Sequence, residues 1–272
     1  MTPAIATVCS LEAPLDGIVA DYAAGHCRAV DLWLGHAETF LAGGPASVLR
    51  ELLLAHGVTA VAASFQGGLF AAEPAPRREH WRLFEGRLAL LREAGIPVLV
   101  VAGDLFGPLA AADLGRLSET LREAAARAAD AGVRLAFEFD ARASFPNNLQ
   151  SAVAVVEEVG HPALGICLDW FQFTVGPSKP LDLELLSPAN LFHVQLSDIA
   201  DVPREMAADA DRILPGEGAA PPDDLVARLH RIGYRGGVAV ELHNPALWRV
   251  PPRQFGEIAI TSLRTLLGQA AM

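Results

Sequence analysis

Three acidic residues stand where apolar runs end in the second half of the chain. Leu135-Ala136-Phe137-Glu138-Phe139-Asp140, Gly165-Ile166-Cys167-Leu168-Asp169-Trp170 and Val238-Ala239-Val240-Glu241-Leu242-His243 each interrupt a buried-type run with a carboxylate. A fourth run, Phe192-His193-Val194-Gln195-Leu196-Ser197-Asp198, turns polar in the same way. In extended chain alternate residues share a face, so Ala136 sits with Glu138, Cys167 with Asp169 and Ala239 with Glu241. Carboxylates gathered at one height repel each other and leave buried charge unpaired, which a divalent cation resolves. Oxygen-rich donors favour Mn2+, with Mg2+ or Co2+ as alternatives, because zinc prefers more His or Cys. The expected metal ligands are Glu138, Asp169, Gln195 and Glu241. His193 competes with Gln195 for the fourth place: its imidazole is the more attractive ligand chemically, but Gln195 lies at the height of the carboxylates.

These groups need a frame that puts strand ends together. One unit recurs along the chain: an amphipathic helix, a glycine stop, then a short apolar run. The stops are Gly25, Gly57, Gly95, Gly132, Gly160 and Gly233, positions where a left-handed residue ends a helix. The runs that follow are 29–34, 58–65, 98–102, 135–139, 164–168 and 238–242, and 4–9 and 191–196 bring the total to eight strands. Helical stripes are marked by Trp81, Phe84, Leu88 and Leu91, by Leu114, Leu117 and Leu121, and by Leu149, Val153 and Val156; Asp223 or Asp224 caps a helix carrying Leu225 and Leu229. Eight alternations over this length predict an α/β fold, a (β/α)8 TIM barrel in a single domain spanning 1–272. The competing doubly wound sheet usually carries a Gly-rich turn after its first strand, and Cys9-Ser10-Leu11-Glu12 is not one. In a barrel, chemistry sits at the C-terminal strand ends.

Composition narrows the partners. The net charge is -11, so nucleic acid is repelled at range. Lys179 is the only lysine and sits in Gly176-Pro177-Ser178-Lys179-Pro180, a poor setting for Schiff-base chemistry. Cys9, Cys27 and Cys167 form no Cys-x-x-Cys pair, which fits a reduced, cytoplasmic protein. Met1-Thr2-Pro3 starts no export signal, and no apolar stretch reaches ~18 residues, so no membrane association is expected.

At the four interrupted runs the chain resembles the xylose-isomerase-like TIM-barrel family of sugar isomerases, epimerases and dehydratases. The family pattern places Glu, Asp, His or Gln, and Glu on the last four strands, matched here by Glu138, Asp169, Gln195 and Glu241. Gln195-Leu196-Ser197-Asp198 resembles the family's strand-seven stretch, with glutamine in the ligand place as in its 3-dehydroshikimate dehydratase branch. Arg212-Ile213-Leu214-Pro215-Gly216-Glu217-Gly218 is similar to the family's Arg-x-x-Pro-Gly-x-Gly loop, whose arginine reaches the substrate. One position departs: Gln172 stands three residues after Asp169, where the family often has His. Glutamine can hydrogen-bond a hydroxyl but moves no proton at neutral pH, which counts against dehydration. His243 can compensate in part.

The resemblance implies proton transfer at a carbon beside a carbonyl, through a metal-stabilised enediolate. Glu138 and Glu241 are the expected catalytic pair, one removing a proton and the other returning it. Arg212, Gln172, His193, His243, Gln66 and Trp170 are the expected substrate contacts, with Asp31 a second-tier candidate beside Gln66, and Trp33, Phe65, Trp170, Phe171 and Trp248 are candidates for the pocket wall. With Arg204 and Arg212 the only basic groups near the relevant strands, an unphosphorylated polyol, keto-sugar, cyclitol or hydroxy acid is expected. The expected function is a metal-dependent isomerase or epimerase, with a dehydratase as the alternative and a non-catalytic barrel subunit as a third. An apurinic endonuclease shares the fold but needs further histidines that are missing here. A homo-oligomer is compatible with the family.

Overall fold

The computed structural model describes residues 1–269. Eight parallel strands close into a barrel: β1 (Thr2–Ala6), β2 (Ala29–Trp33), β3 (Thr59–Gln66), β4 (Val98–Gly103), β5 (Arg134–Phe139), β6 (Leu164–Asp169), β7 (Leu191–Leu196) and β10 (Gly237–Val240). The order around the barrel is β1-β10-β7-β6-β5-β4-β3-β2, so the chain winds round once and the doubly wound sheet is excluded. Between β7 and β10, two short antiparallel strands, β8 (Asp198–Ile199) and β9 (Arg212–Ile213), form a ribbon over the barrel mouth. The described helices are α1 (Leu15–Ala24), α2 (Leu34–Leu41), α3 (Ser47–Ala55), α4 (Pro74–Ala94), α5 (Ala111–Asp130), α6 (Leu149–Val159), α7 (Trp170–Val175), α8 (Asp223–Arg231) and α9 (Pro252–Leu266). The expected single domain extends to 272; residues 270–272 lie outside those described.

The strands separate two apolar regions. Ile5, Leu32, Leu99, Leu135, Phe137 and Ile166 face outward and pack under helix residues such as Ile18, Leu49, Phe84, Leu121 and Leu263. Inward positions are smaller, with Ala4, Ala29 and Ala239 in one cluster and Ala62, Val98, Val100, Ala136 and Cys167 in another. Small side chains leave the barrel axis room for the polar groups above them. Phe192 plugs the floor of the second cluster: the β6–β7 register shifts between Ile166 and Cys167, so Phe192 falls between paired Leu191 and His193 and joins the inner layer.

Local details differ from the sequence expectation. Gly57, Gly95, Gly132, Gly160 and Gly233 take positive φ, but Gly25 does not, and His26 adopts the left-handed conformation instead. Gly25 is needed for closeness: a Cβ there would lie 3.0 Å from the Glu257 backbone nitrogen on α9. Leu114 is 42% exposed, so the α5 stripe starts at Leu117. Neither Asp223 nor Asp224 caps α8, whose cap position is Pro222; both acids lie in its first turn, where they meet the positive end of the helix dipole. No described helix is long and apolar enough to cross a membrane. All three cysteines are buried and unpaired.

Candidate active site

The C-terminal ends of β5, β6 and β10 surround a cavity of about 310 Å³, lined among others by Glu138, Gln172, Arg212, Glu241 and His243. Strand alternation explains the carboxylates. Glu138 follows Ala136 on the inward face of β5, Asp169 follows Cys167 as the last residue of β6, and Glu241 lies just beyond β10, above Ala239. Asp169 also begins α7, where its Oδ1 accepts from the Phe171 backbone N–H at 2.8 Å.

Arg212 is the hub of this cavity. Its Nη2 donates to Asp169 Oδ2 at 2.6 Å, its Nε to Asp209 Oδ1 at 3.1 Å, and its Nη1 stands 3.4 Å from Glu241 Oε2. Its guanidinium lies 4.3 Å from the centre of the Phe171 ring. Only 2% exposed, it is a buried cation among carboxylates rather than a surface arginine. Burial works against its charge, but Asp169, Glu241 and Asp209 outweigh that and hold it protonated more firmly than a free arginine.

One guanidinium does not balance three acids. Burial and then the charges of Asp169 and Glu241 push the Glu138 carboxyl well above the ordinary range. No described group donates a hydrogen bond to it. Burial also raises Asp169, to about 6, against the pull of Arg212. His243 stands 3.7 Å from Glu241 Oε1; burial opposes its charge, but the carboxylate prevails and raises its pKa.

A polar network beneath the acids spans the barrel. Asp31 on β2 accepts from His193 Nε2 at 2.9 Å, from Gln195 Nε2 at 3.0 Å and from Ser64 Oγ at 2.8 Å, and all four residues are buried. Burial alone would raise the Asp31 pKa, yet His193, Ser64 and Gln195 reverse the sign and lower it. Gln195 Nε2 also donates to Glu241 Oε1 at 2.8 Å, while its Oε1 accepts from the Cys167 thiol at 3.2 Å. The amide nitrogen of Gln195 therefore faces Glu241, and its oxygen faces the barrel wall.

The ribbon is held by Asp198. Its buried carboxylate accepts from the backbone N–H groups of Ile199, Gly216, Gly218 and Ala220 at 2.7–3.2 Å. This anchor ties the Pro-Gly-Glu-Gly loop to β8, whose partner strand β9 carries Arg212 to the carboxylates.

Of the residues singled out in the sequence, Glu138, Glu241, Arg212, Gln172 and His243 line one cavity, with Asp169 and Gln195 buried behind them. Gln172 accepts from the Ala141 N–H through Oε1 at 3.0 Å, leaving its amide nitrogen for a ligand. Three others are elsewhere. His193 is spent on Asp31 one layer deeper, because it precedes Gln195 by two residues on β7. Gln66 donates to the Gly67 carbonyl and accepts from Arg87. Trp170 stacks on Phe173 at 4.9 Å and donates to the Ala220 carbonyl, outside the cavity. Trp33 and Phe65 do form a wall; Asp140 and Asp209, which line it as well, had no sequence signal beyond their place next to the motifs.

The donor set fits a hard divalent cation in chemistry and charge: three carboxylates, an amide, one balancing guanidinium, and Glu138 with no hydrogen-bond partner among the described residues. Among the described residues, no three His, Cys, Asp or Glu side chains converge as they stand on an ion-sized point. Arg212 lies between Asp169 and Glu241, and Gln195 turns its nitrogen inward.

The family description "xylose isomerase-like TIM barrel" matches residues 23–265. The chain is 34% identical over 120 residues to an inosose isomerase of Halalkalibacterium halodurans, a match covering 44% of this chain and 43% of that protein. It is 27% identical over 185 residues to a 3-dehydroshikimate dehydratase of Pseudomonas putida, covering 67% of this chain and 28% of that protein. The matched stretches thus span less than half the length of these curated relatives. Among solved structures, the IOLI protein with a bound zinc atom superposes over the full length of both chains with a TM-score of 0.91 at 20% identity. A D-psicose 3-epimerase crystallised with D-fructose has a TM-score of 0.80 at 19% identity, covering 98% of this chain and 100% of that one. At such identities the structural likeness speaks for the fold alone.

Proposed function

Because the chain belongs to the xylose isomerase-like TIM-barrel family, we propose that it is a divalent-metal-dependent isomerase or epimerase of a sugar, keto-sugar or cyclitol. The reading is carried by three carboxylates at the ends of β5, β6 and β10, two lining one cavity and one buried behind them, which surround a single guanidinium; one of the three has no hydrogen-bond donor among the described residues. Glu138, Asp169, Glu241 and, with its amide turned over, Gln195 would hold the ion, with Mn2+ the favoured metal; the zinc in the IOLI protein supports a divalent ion in this fold. When bound, the cation supplies positive charge to the oxygens beside the carbon that loses its proton.

The rest falls to the chain's own side chains. Glu138 is the better base, because no described group donates a hydrogen bond to its carboxylate, whereas Glu241 is held by Gln195 and Arg212. Glu241, on a strand separated from β5 by two others, approaches the ligand from another side and returns a proton. His243 stands 3.7 Å from Glu241 and, when protonated, offsets the charge of that carboxylate. Arg212 orients a hydroxyl or carboxylate of the ligand, and the Gln172 amide nitrogen donates to a second hydroxyl. Trp33 and Phe65 shield the cavity on the β2 and β3 side.

A second reading, a dehydratase acting on a 3-dehydroshikimate-like substrate, is favoured by Gln195 and by the similarity to the Pseudomonas putida protein over two thirds of this chain. Gln172, which cannot transfer a proton at neutral pH, argues for the first.

Elemental analysis of the purified protein, paired with a Glu138→Gln, Glu241→Gln double variant, tests the proposal. About one equivalent of Mn, Mg, Co or Zn, lost in the variant, is the expected result, followed by solvent-deuterium exchange into keto-sugars or cyclitols. Absence of metal from both proteins even after reloading overturns it. Loss of water from dehydroshikimate without exchange into sugars selects the second reading.

A further inference from the structure

A second cavity of about 470 Å³ adjoins the first, and Trp33 and Phe65 line both. It lies over the ends of β2, β3 and β4, with Glu38 of α2 and His80, Leu83 and Arg87 of α4 on its outer side. The proposed chemistry leaves it unused. A cavity of about 310 Å³ already reaches the ~300–1,000 Å³ range of small-ligand sites, so one ring needs no second chamber.

Its polar groups have spare capacity of both kinds. Arg87 donates through Nε to Glu38 Oε1 at 2.7 Å and through Nη1 to Gln66 Oε1 at 3.0 Å, and its Nη2 has no partner among the described residues. Asp104 accepts from the Gly68 N–H through Oδ2 at 2.6 Å, and Glu38, which accepts from Arg87 through Oε1, has no partner for its Oε2 among the described residues. The Gly67-Gly68 turn makes the space. Gly68 has φ +77°, and a Cβ there would lie 2.4 Å from the His80 ring, so a side chain would drive His80 out of the wall. Trp33 and Phe65 pack with ring centroids 5.2 Å apart at the junction of the cavities.

We propose that this cavity is a subsite for a second hydroxylated ring, so that the substrate is a two-ring conjugate such as a glycosylated sugar or cyclitol. A hydroxyl both donates and accepts, which matches an unused carboxylate oxygen and an unused guanidinium N–H on one cavity. The apolar C–H face of a sugar ring complements the Trp33 and Phe65 rings, which combine apolar area with few rotatable bonds. The mixed charge selects against the alternatives: Glu38 and Asp104 repel a phosphate, and Arg87 repels a cation. The inference rests on the proposed function, because the first ring must sit at the carboxylates.

Calorimetric titration of the manganese-loaded protein tests it with matched probes: myo-inositol against its galactosyl conjugate galactinol, and glucose against maltose and cellobiose. The second ring is expected to tighten binding at least tenfold in one pair. Leu83→Trp, which fills the cavity from α4, is expected to remove that gain and leave the single-ring affinity unchanged. Single-ring binding that depends on Glu241 but gains nothing from a second ring, or a gain that survives Leu83→Trp, overturns the subsite and leaves the proposed function standing. A second-ring gain lost in Leu83→Trp, with single-ring affinity indifferent to Glu241→Gln, overturns the functional reading and upholds the cavity as a glycan site. No binding by any probe overturns both.

Discussion

The two halves of the barrel mouth are built on different physical terms. The ends of β5, β6 and β10, with the ribbon between β7 and β10, bring Glu138, Asp169, Glu241 and Arg212 into one electrostatic unit in which no charge is tolerable alone. The ends of β2 to β4 contribute walls: Trp33, Ser64, Phe65 and Ala102. Among the described residues, Asp31 is the only buried carboxylate of that first half, and it reaches across the barrel to His193 and Gln195. Charge placed on one side is thus oriented from the other. A change in the charged half should act on chemistry and on stability through unpaired charge. A change in the wall half should act on ligand affinity.

The largest expected effect is on reaction rate. Glu138→Gln keeps shape and removes the proposed base, and proton exchange should fall by about 10²–10⁴-fold in kcat with the fold intact by circular dichroism. A kcat within a few-fold of wild type would break the contrast at its strongest point. Arg212→Ala should come next. It leaves Asp169, which is fully buried, without its cation, a loss on the order of 3–5 kcal/mol in metal-free protein. Added Mn2+ should raise Tm more in this variant than in wild type, because the same acids then need the ion more. Equal Tm for both metal-free proteins would mean that the ion pairs carry no stability.

Asp198→Ala removes the acceptor of four backbone N–H groups. Stability should drop by about 2–4 kcal/mol. Hydrogen exchange should speed up from Asp209 to Ala220, while β1 to β4 stay protected. Phe65→Ala should have the smallest effect on folding. The ring is 40% exposed, so its loss should cost about 1 kcal/mol or less while raising KM and leaving kcat nearly unchanged. A kcat defect there matching that of Glu138→Gln would erase the distinction between wall and charge.

Much of the frame was readable without coordinates, because helix and strand periodicity are local. The glycine-punctuated repeats locate six of the barrel strands, and the apolar runs 4–9 and 191–196 the other two, all to within a few residues, although β1 ends at Ala6, before the predicted Cys9, in a turn of 3-10 helix at Thr7–Ser10. The ribbon of β8 and β9 was not legible: each strand has two residues, too few for any period. Gln195 illustrates the limit for the site. Its place on β7 follows from alternation, but which end of its amide faces Glu241 depends on Asp31, a residue 164 positions away. His193 looked like a ligand because imidazole suits metals; its partner, Asp31, is visible only once β2 and β7 face each other across the barrel.

The sequence by itself determined which residues alternate inward and at what height along each strand, because the two-residue repeat of extended chain is a property of neighbouring peptides. It therefore determined that Glu138, Asp169 and Glu241 rise from three strand ends. Only the closed barrel decided what each acid meets: Arg212 from the ribbon for Asp169 and Glu241, no donor among the described residues for Glu138, and a second chamber behind Trp33 and Phe65. Those outcomes depend on distances between segments far apart in the chain. Electrostatic energy and cavity shape follow such distances, and no local pattern encodes them.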